Sequence, residues 1–240
     1  MRHLLRARPK AFLDAPRREW QFDAYAWLLR DCGGFPNFVD TLLVLPIAQH
    51  FPDQDLTGHA AAAALFRRVR DHAGMADWPC LVEPEPSAPS PASTDRMRII
   101  RYSPQDSRPE LLVARFAHEL ARYLVESLDD VPPGGPALYE PAVDLAAVFM
   151  GFGVFMANAA AEKAPWDLNE GELVHALAVF CLLRKLPVDA VDPHLNAHLR
   201  KYLRLAMLDL AQFEADFQRL RTVFGQPAFD VAESTLPTPR

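Results

Sequence analysis

Residues 140–159 read EPAVDLAAVFMGFGVFMANA, and this stretch decides the fold. Its apolar run, residues 145–157, is bounded by Asp144 and Asn158 and is shorter than the roughly 17 residues that a bilayer-spanning helix needs. We therefore expect a buried core helix over about residues 138–162 and no membrane span. The GFG triplet lacks the lysine that follows a phosphate-binding loop, so its glycines predict close packing of the helix instead.

The rest of the chain predicts a mainly α protein with a small β component, an α+β fold. Short apolar runs at residues 41–46, 80–83 and 97–102 are candidate strands. Proline, serine and alanine crowd one internal segment, which predicts a flexible connection. The predicted regions are a mixed α/β N-terminal region (1–83), a Pro/Ser-rich flexible linker or loop (84–96), a helical region (97–225) and a loose C-terminal tail (226–240).

Composition and cysteine spacing argue against several classes of protein. The formal net charge of -6 and the isoelectric point near 5.7 argue against a nucleic-acid-binding surface. Cys32, Cys80 and Cys181 are far apart in the sequence, so they predict neither a disulfide framework nor a cysteine zinc site. The basic N-terminus lacks the apolar core of a signal peptide. Together these features predict a cytoplasmic protein with reduced thiols.

The segment RFAHELARYLVES, residues 115–127, differs at one position from a zinc-protease motif. In H-E-x-x-H the two histidines lie on one helical face and bind zinc, while the glutamate activates a metal-bound water. His118 and Glu119 occupy the first-ligand and general-base positions, and Arg122 stands in place of the second histidine. Because a guanidinium has no lone pair and stays protonated, Arg122 cannot bind zinc. A conventional three-ligand site on this helix is therefore excluded.

A solvated polar face also explains these residues. Arg115–Glu119 and Arg122–Glu126 are pairs of opposite charge four residues apart, which support each other on a helix surface. Apolar residues form the opposite stripe of the same helix. The pattern of residues 115–127 alone is therefore explained without a metal site.

The segment EPAVD, residues 140–144, adds the second part of a pattern. HELAR followed by EPAVD resembles the two metal-binding helices of gluzincins, the zincin group whose second helix supplies a glutamate as the third zinc ligand. This resemblance implies that Glu140 matches the third ligand and that Asp144 matches the aspartate that orients the first histidine. Apart from any resemblance, Asp144 lies one turn into an otherwise apolar helix, where a buried carboxylate needs a partner.

Other segments resemble a group of uncharacterised bacterial proteins that carry an intact H-E-L-A-H. The resemblance extends from about residue 41 to about residue 210 and implies a zincin-like fold for the helical region. It implies no particular substrate. The segments are VLPIAQHFPD, AALFRRVRDHAGM, LLVARFAHELARYLV, DLAAVFMGFGVFMANA and ELVHALAVFCLLR.

A degenerate, metal-free zincin-like site is the hypothesis that follows. Removing a dication from among His118, Glu119 and Glu140 would leave like charges close together. Arg122 could replace part of the lost positive charge by pairing with Glu140 or Glu119. Such a protein would lack conventional zinc peptidase activity and would bind an unidentified protein partner through the former cleft or its helical surface.

Two alternatives remain open. One is an active metallohydrolase that uses His118 and Glu140 as ligands and Glu119 as the base, with zinc bound if another histidine completes the site. The other is a helical structural or interaction protein that has no ancestral site. The candidate histidines are His175, whose apolar surroundings favour a core position, and His194 and His198, which lie four residues apart on the predicted last helix.

Overall fold

Helices and one small sheet make up the computed structural model, which describes residues 11–53, 55–85, 97–104 and 108–225. The structure confirms a mainly α fold with a small β component. The helices are α1 (Ala15–Asp31), α2 (Gly34–Phe38), α3 (Gly58–His72), α4 (Pro109–Ser127), α5 (Tyr139–Ala147), α6 (Gly153–Ala161), α7 (Glu170–Leu183), α8 (Ala197–Leu210) and α9 (Glu214–Arg221), and the strands are β1 (Cys80–Pro84) and β2 (Arg98–Tyr102).

The sheet consists of β1 and β2, which run parallel with Cys80 opposite Arg98 and Pro84 opposite Tyr102. Two of the three predicted strands are thereby confirmed. The third, at residues 41–46, is wrong because this segment forms no strand. It lies against the central helical stretch, where Val44 N–H donates to the Gly151 carbonyl at 2.9 Å. Most of the predicted linker, residues 86–96, and the predicted tail, residues 226–240, lie outside the described residues.

The central stretch is helical and buried, as predicted, but it is not one regular helix. Between α5 and α6 the chain forms a π-helical turn, Val148–Phe152, in which Gly151 has φ 98°. A Cβ atom at Gly151 would lie 2.0 Å from the carbonyl oxygen of Leu42. The glycine therefore permits both the backbone angle and the close approach of the 41–46 segment.

Residues of the N-terminal region and of the helical region share one hydrophobic core. Within it, the α1 side chains of Gln21 and Tyr25 donate hydrogen bonds to the carbonyl oxygens of Glu172 and Ala176, at 2.9 and 2.8 Å.

One helical stretch, residues 135–161, is long and apolar enough to cross a membrane, and 94% of its most apolar window is buried inside the protein. Such burial is typical of a core helix, as the sequence predicted.

Helix boundaries near the C-terminus differ from the prediction. The Asn169–Glu172 capping box predicted for α7 is present, with both reciprocal hydrogen bonds. The single last helix predicted from residue 192 is instead a short 3-10 turn, Asp192–His194, followed by α8 and α9. Asn158 explains the early break, because its side chain bonds the backbone on both sides of the junction, at the carbonyl of His194 and the N–H of Asn196.

Replacing Gly151 by alanine should destabilise the protein by about 3 kcal/mol or more. A positive φ costs an alanine about 1 kcal/mol, and the collision with the Leu42 carbonyl adds the cost of overpacking. Chemical denaturation would measure the loss. Gly74→Ala is the matched control, because Gly74 also has a positive φ, of 70°, but no described residue other than its two chain neighbours lies within 4 Å of the position that a Cβ would take there. Equal losses in the two variants would contradict this account.

Candidate functional site

The sequence-predicted site residues come together where α4 packs against α5. Helix α4 carries His118, Glu119 and Arg122, and α5 carries Glu140 and Asp144. The four-residue spacings on both helices place these side chains toward the shared groove. We call these five residues, together with Trp166 from the loop that precedes α7, the His118 cluster.

Asp144 is the fully buried member of the cluster. Its Oδ2 atom accepts hydrogen bonds from the backbone N–H groups of Asp167 and Leu168, both at 2.8 Å. Its Oδ1 atom lies 3.1 Å from His118 Nε2, without the alignment of a regular hydrogen bond. The attraction between these two groups is therefore mainly electrostatic. One carboxylate thus links α5 to α4 and to the loop that leads into α7.

His118 is held on a second side by an aromatic ring. The indole of Trp166 stacks on the imidazole, with ring centroids 4.7 Å apart and planes 28° apart. The His118 side chain keeps 11% of its surface exposed, whereas that of Asp144 keeps none. On its other edge, Nδ1 of His118 lies 3.9 Å from Glu119 Oε1. The imidazole therefore lies between two carboxylates, of which Glu119 is partly exposed and Asp144 is not.

Arg122 and Glu140 form a two-point ion pair across the helices. The two terminal nitrogens of Arg122 donate to the two carboxylate oxygens of Glu140, at 2.8 and 2.6 Å. Such a fork is the strongest geometry available to an arginine and a carboxylate. The pairing of Arg122 with Glu140, which the sequence hypothesis offered as one of two options, is present. It uses both oxygens of Glu140, the residue that the gluzincin resemblance assigns as the third metal ligand.

Protonation in the cluster follows from these contacts. Burial opposes the charged form of His118, but the neighbouring Asp144 and Glu119 carboxylates outweigh it, so the pKa of His118 is raised. The contact with His118 lowers the pKa of Glu119. The hydrogen bonds from Arg122 likewise lower the pKa of Glu140. The cluster is therefore a set of charges that stabilise one another without an added cation.

The donor set of the cluster does not fit zinc, which takes at least three protein ligands. Glu140 has both oxygens bonded to Arg122, His118 has Nε2 against Asp144, and a guanidinium lies where a second imidazole would be needed. Among the described residues, no group of three or more His, Cys, Asp or Glu side chains has the arrangement of a metal site.

Two of the three other candidate histidines, His175 and His198, have side-chain partners away from the cluster. His175 is fully buried, and its Nδ1 lies 2.7 Å from Gln21 Oε1. Burial lowers the pKa of His175 to about 3, so it is a neutral core histidine, as its apolar surroundings predicted. His198 Nε2 lies 3.0 Å from Glu170 Oε2. His194 is in the 3-10 turn and not on the helix of His198, so the predicted four-residue helical pair is wrong.

Sequence reasoning missed Trp166 and the backbone N–H groups of residues 167 and 168. They lie in a loop, where no helical or strand period identifies an inward-facing residue. The only available signal was the need of a buried Asp144 for hydrogen-bond donors, and that need does not identify the donors.

Comparisons with known proteins found no protein-family model that matches the chain, and no match among curated proteins or solved structures.

Asp144→Asn should lower the pKa of His118 and destabilise the protein more at pH 6 than at pH 9. The asparagine oxygen can still accept from residues 167 and 168, but its NH₂ group would face His118 Nε2, which must then be unprotonated. A raised pKa of His118 stabilises the native state fully below the unfolded pKa near 6.5, and this contribution is lost as pH rises through the folded pKa. We expect a loss of about 2 kcal/mol at pH 6.

Denaturant unfolding at the two pH values and NMR titration of the imidazole would measure these effects. His118→Gln is the matched variant, because it removes the titrating group and leaves Asp144 in place. If Asp144→Asn retains the wild-type pKa of His118, the ion pair does not control this histidine.

Proposed function

We propose that the chain is a degenerate zincin-like protein that acts by binding a protein partner and not by zinc-dependent peptide hydrolysis. In this proposal the guanidinium of Arg122 supplies the positive charge that a metal ion would otherwise supply beside the carboxylates of the cluster. The cluster is then a remnant of a catalytic site whose architecture persists as a set of ion pairs. The observation that carries the proposal is the two-point ion pair between Arg122 and Glu140.

Two further contacts support the relation to zincins. The H-E dipeptide and the E-x-x-x-D segment come from separate helices that pack together, and the second acidic residue contacts the histidine. A chance charged face on α4, the simplest alternative, would leave His118 in solvent. Instead His118 is buried between Asp144 and Trp166. The polar-face interpretation therefore accounts for the exposure of Glu126, whose side chain is 44% exposed, but not for the burial of His118. The predicted partner of Glu126 is also wrong, because Glu126 pairs with Arg98 of β2 and not with Arg122.

Hydrolysis by the ordinary zincin route needs a Lewis acid and a water activated beside Glu119. Arg122 supplies a fixed positive charge but no coordination site, because all five guanidinium N–H groups are donors and none is an acceptor. The ion pair with Glu140 raises the already high pKa of Arg122 further. Arg122 therefore cannot become a ligand by losing a proton. An altered ligand set would need another histidine, and two of the three candidates, His175 and His198, contact Gln21 and Glu170 instead.

Partner binding would use the open edge of the cluster. Glu119 and Glu140 keep 34% and 44% of their side-chain surfaces exposed, whereas the histidine and aspartate beneath them are shielded. A protein partner can reach these carboxylates without opening the core. The ion pairs hold them in fixed positions, and fixed polar groups lower the entropic cost of association.

Zinc affinity separates the degenerate site from an active metal site. Purified wild-type protein should contain no stoichiometric zinc by elemental analysis and should not hydrolyse casein. Arg122→His should bind zinc at least about tenfold more tightly than the wild type by calorimetric titration, because it restores a second imidazole and frees Glu140. Stoichiometric zinc in the wild type would overturn the proposal.

A matched control is Arg67→His, which adds a histidine at an exposed position of α3 away from the cluster. Its zinc affinity should equal that of the wild type. If Arg122→His folds and gains no affinity over this control, the HELAR and EPAVD segments do not descend from a metal site.

A further inference from the structure

A separate cavity of about 310 Å³ opens between α3, the first turns of α4 and the chain that precedes α3. No residue of the His118 cluster lines it. Its walls are mainly apolar and include Ile47, Phe51, Leu65, Val113 and Phe155. This volume is at the small end of the range for pockets that bind small molecules, and such pockets combine an apolar body with a few polar groups.

Hydrogen bonds fix the outer wall of this cavity. Leu45 N–H donates to His50 Nδ1 at 2.8 Å, and His72 Nε2 lies 3.0 Å from the His50 carbonyl oxygen, which can only accept. Phe51 packs edge-on against His72 and Phe155. The Leu45 bond requires a neutral His50, and burial lowers the pKa of that histidine, with smaller effects from His72 and His194. The wall is therefore formed before any ligand binds.

The polar rim of the cavity has a net negative charge. Arg68 Nε donates to Asp53 Oδ2 at 3.1 Å, so these two lining residues neutralise each other. Glu110, the third charged lining residue, is exposed and has no hydrogen bond or ion pair to a described residue. The nearest basic residue in sequence, Arg108, pairs with Glu162 instead. The Glu110 carboxylate is therefore available to pair with a ligand at the mouth of the cavity.

We propose that this cavity binds a small amphiphile with an aliphatic body and a basic head, such as a short alkylamine. The aliphatic chain fills the space between Phe51, Leu65 and Phe155, and the ammonium group pairs with Glu110. An anionic amphiphile is disfavoured, because Arg68, the only cation among the described residues that line the cavity, is already bonded to Asp53. This site is independent of the His118 cluster and of the function proposed for it.

Three ligands with the same eight-carbon chain test the proposal: n-octylamine, n-octanol and octanoate, titrated calorimetrically at pH 7.5. We expect saturable binding of one molecule of amine, about threefold tighter than binding of the alcohol, which is typical of a solvent-exposed ion pair. Octanoate should bind most weakly. Glu110→Gln should make the amine and the alcohol equal and leave the affinity for the alcohol unchanged.

Bulky side chains introduced on opposite walls of the cavity should abolish binding of all three ligands. Ala61→Phe fills the cavity from α3, and Ala48→Trp fills it from an exposed position of the outer wall, which avoids the core. Ala60→Phe, at an exposed neighbouring position that does not line the cavity, should bind as the wild type does. No saturable binding to the wild type, or binding that survives Ala48→Trp in a folded protein, would overturn the proposal.

Discussion

The buried carboxylate of Asp144 is the constraint on which the site and much of its surroundings depend. A charge this deep is stable only if hydrogen bonds and opposite charge replace the water it has lost. Two backbone N–H groups from the loop before α7 satisfy one of its oxygens, and His118 faces the other. The same carboxylate therefore fixes the packing of α4 on α5, the course of the 166–168 loop and the orientation of the imidazole.

Charge balance explains why Arg122 fits this arrangement. Two carboxylates, those of Glu119 and Asp144, flank His118, and a third, that of Glu140, lies in the same cluster, so the three would repel one another without a permanent cation. A lysine would supply the charge through a single ammonium group, but the planar guanidinium satisfies both oxygens of Glu140 at once. Arginine therefore supplies the charge and the geometry together, and this combination keeps the two helices in register.

Local patterns made the main helices predictable, and the family resemblance brought the site residues together, whereas most contacts distant in sequence were not predictable. The place of Asp144 in an apolar helix predicted that it needs a partner, and the resemblance to gluzincins, not the local pattern, implied that this partner is His118. The π-helical turn did not follow, because the conformation of Gly151 is set by the approach of the Leu42 carbonyl. Residues 41–46 have the composition of a strand, yet they lie beside a helix, with no strand neighbour in the described parts of the chain. Trp166 lies in a loop, where periodicity carries no information about side-chain direction.

Stability alone is a poor explanation for a network of this kind. Well-packed apolar residues of similar size usually stabilise a core as well as a buried ion pair does, because ion pairs must first offset the cost of desolvation. Aliphatic side chains at positions 118 and 144 together would remove the cost of burying charge, but they would leave the backbone N–H groups of residues 167 and 168 without an acceptor. What the charged groups add is fixed position: they hold Glu119 and Glu140 at the surface in one arrangement. A surface whose carboxylates are held in place by buried partners suits recognition, and this is the property that an aliphatic core could not supply.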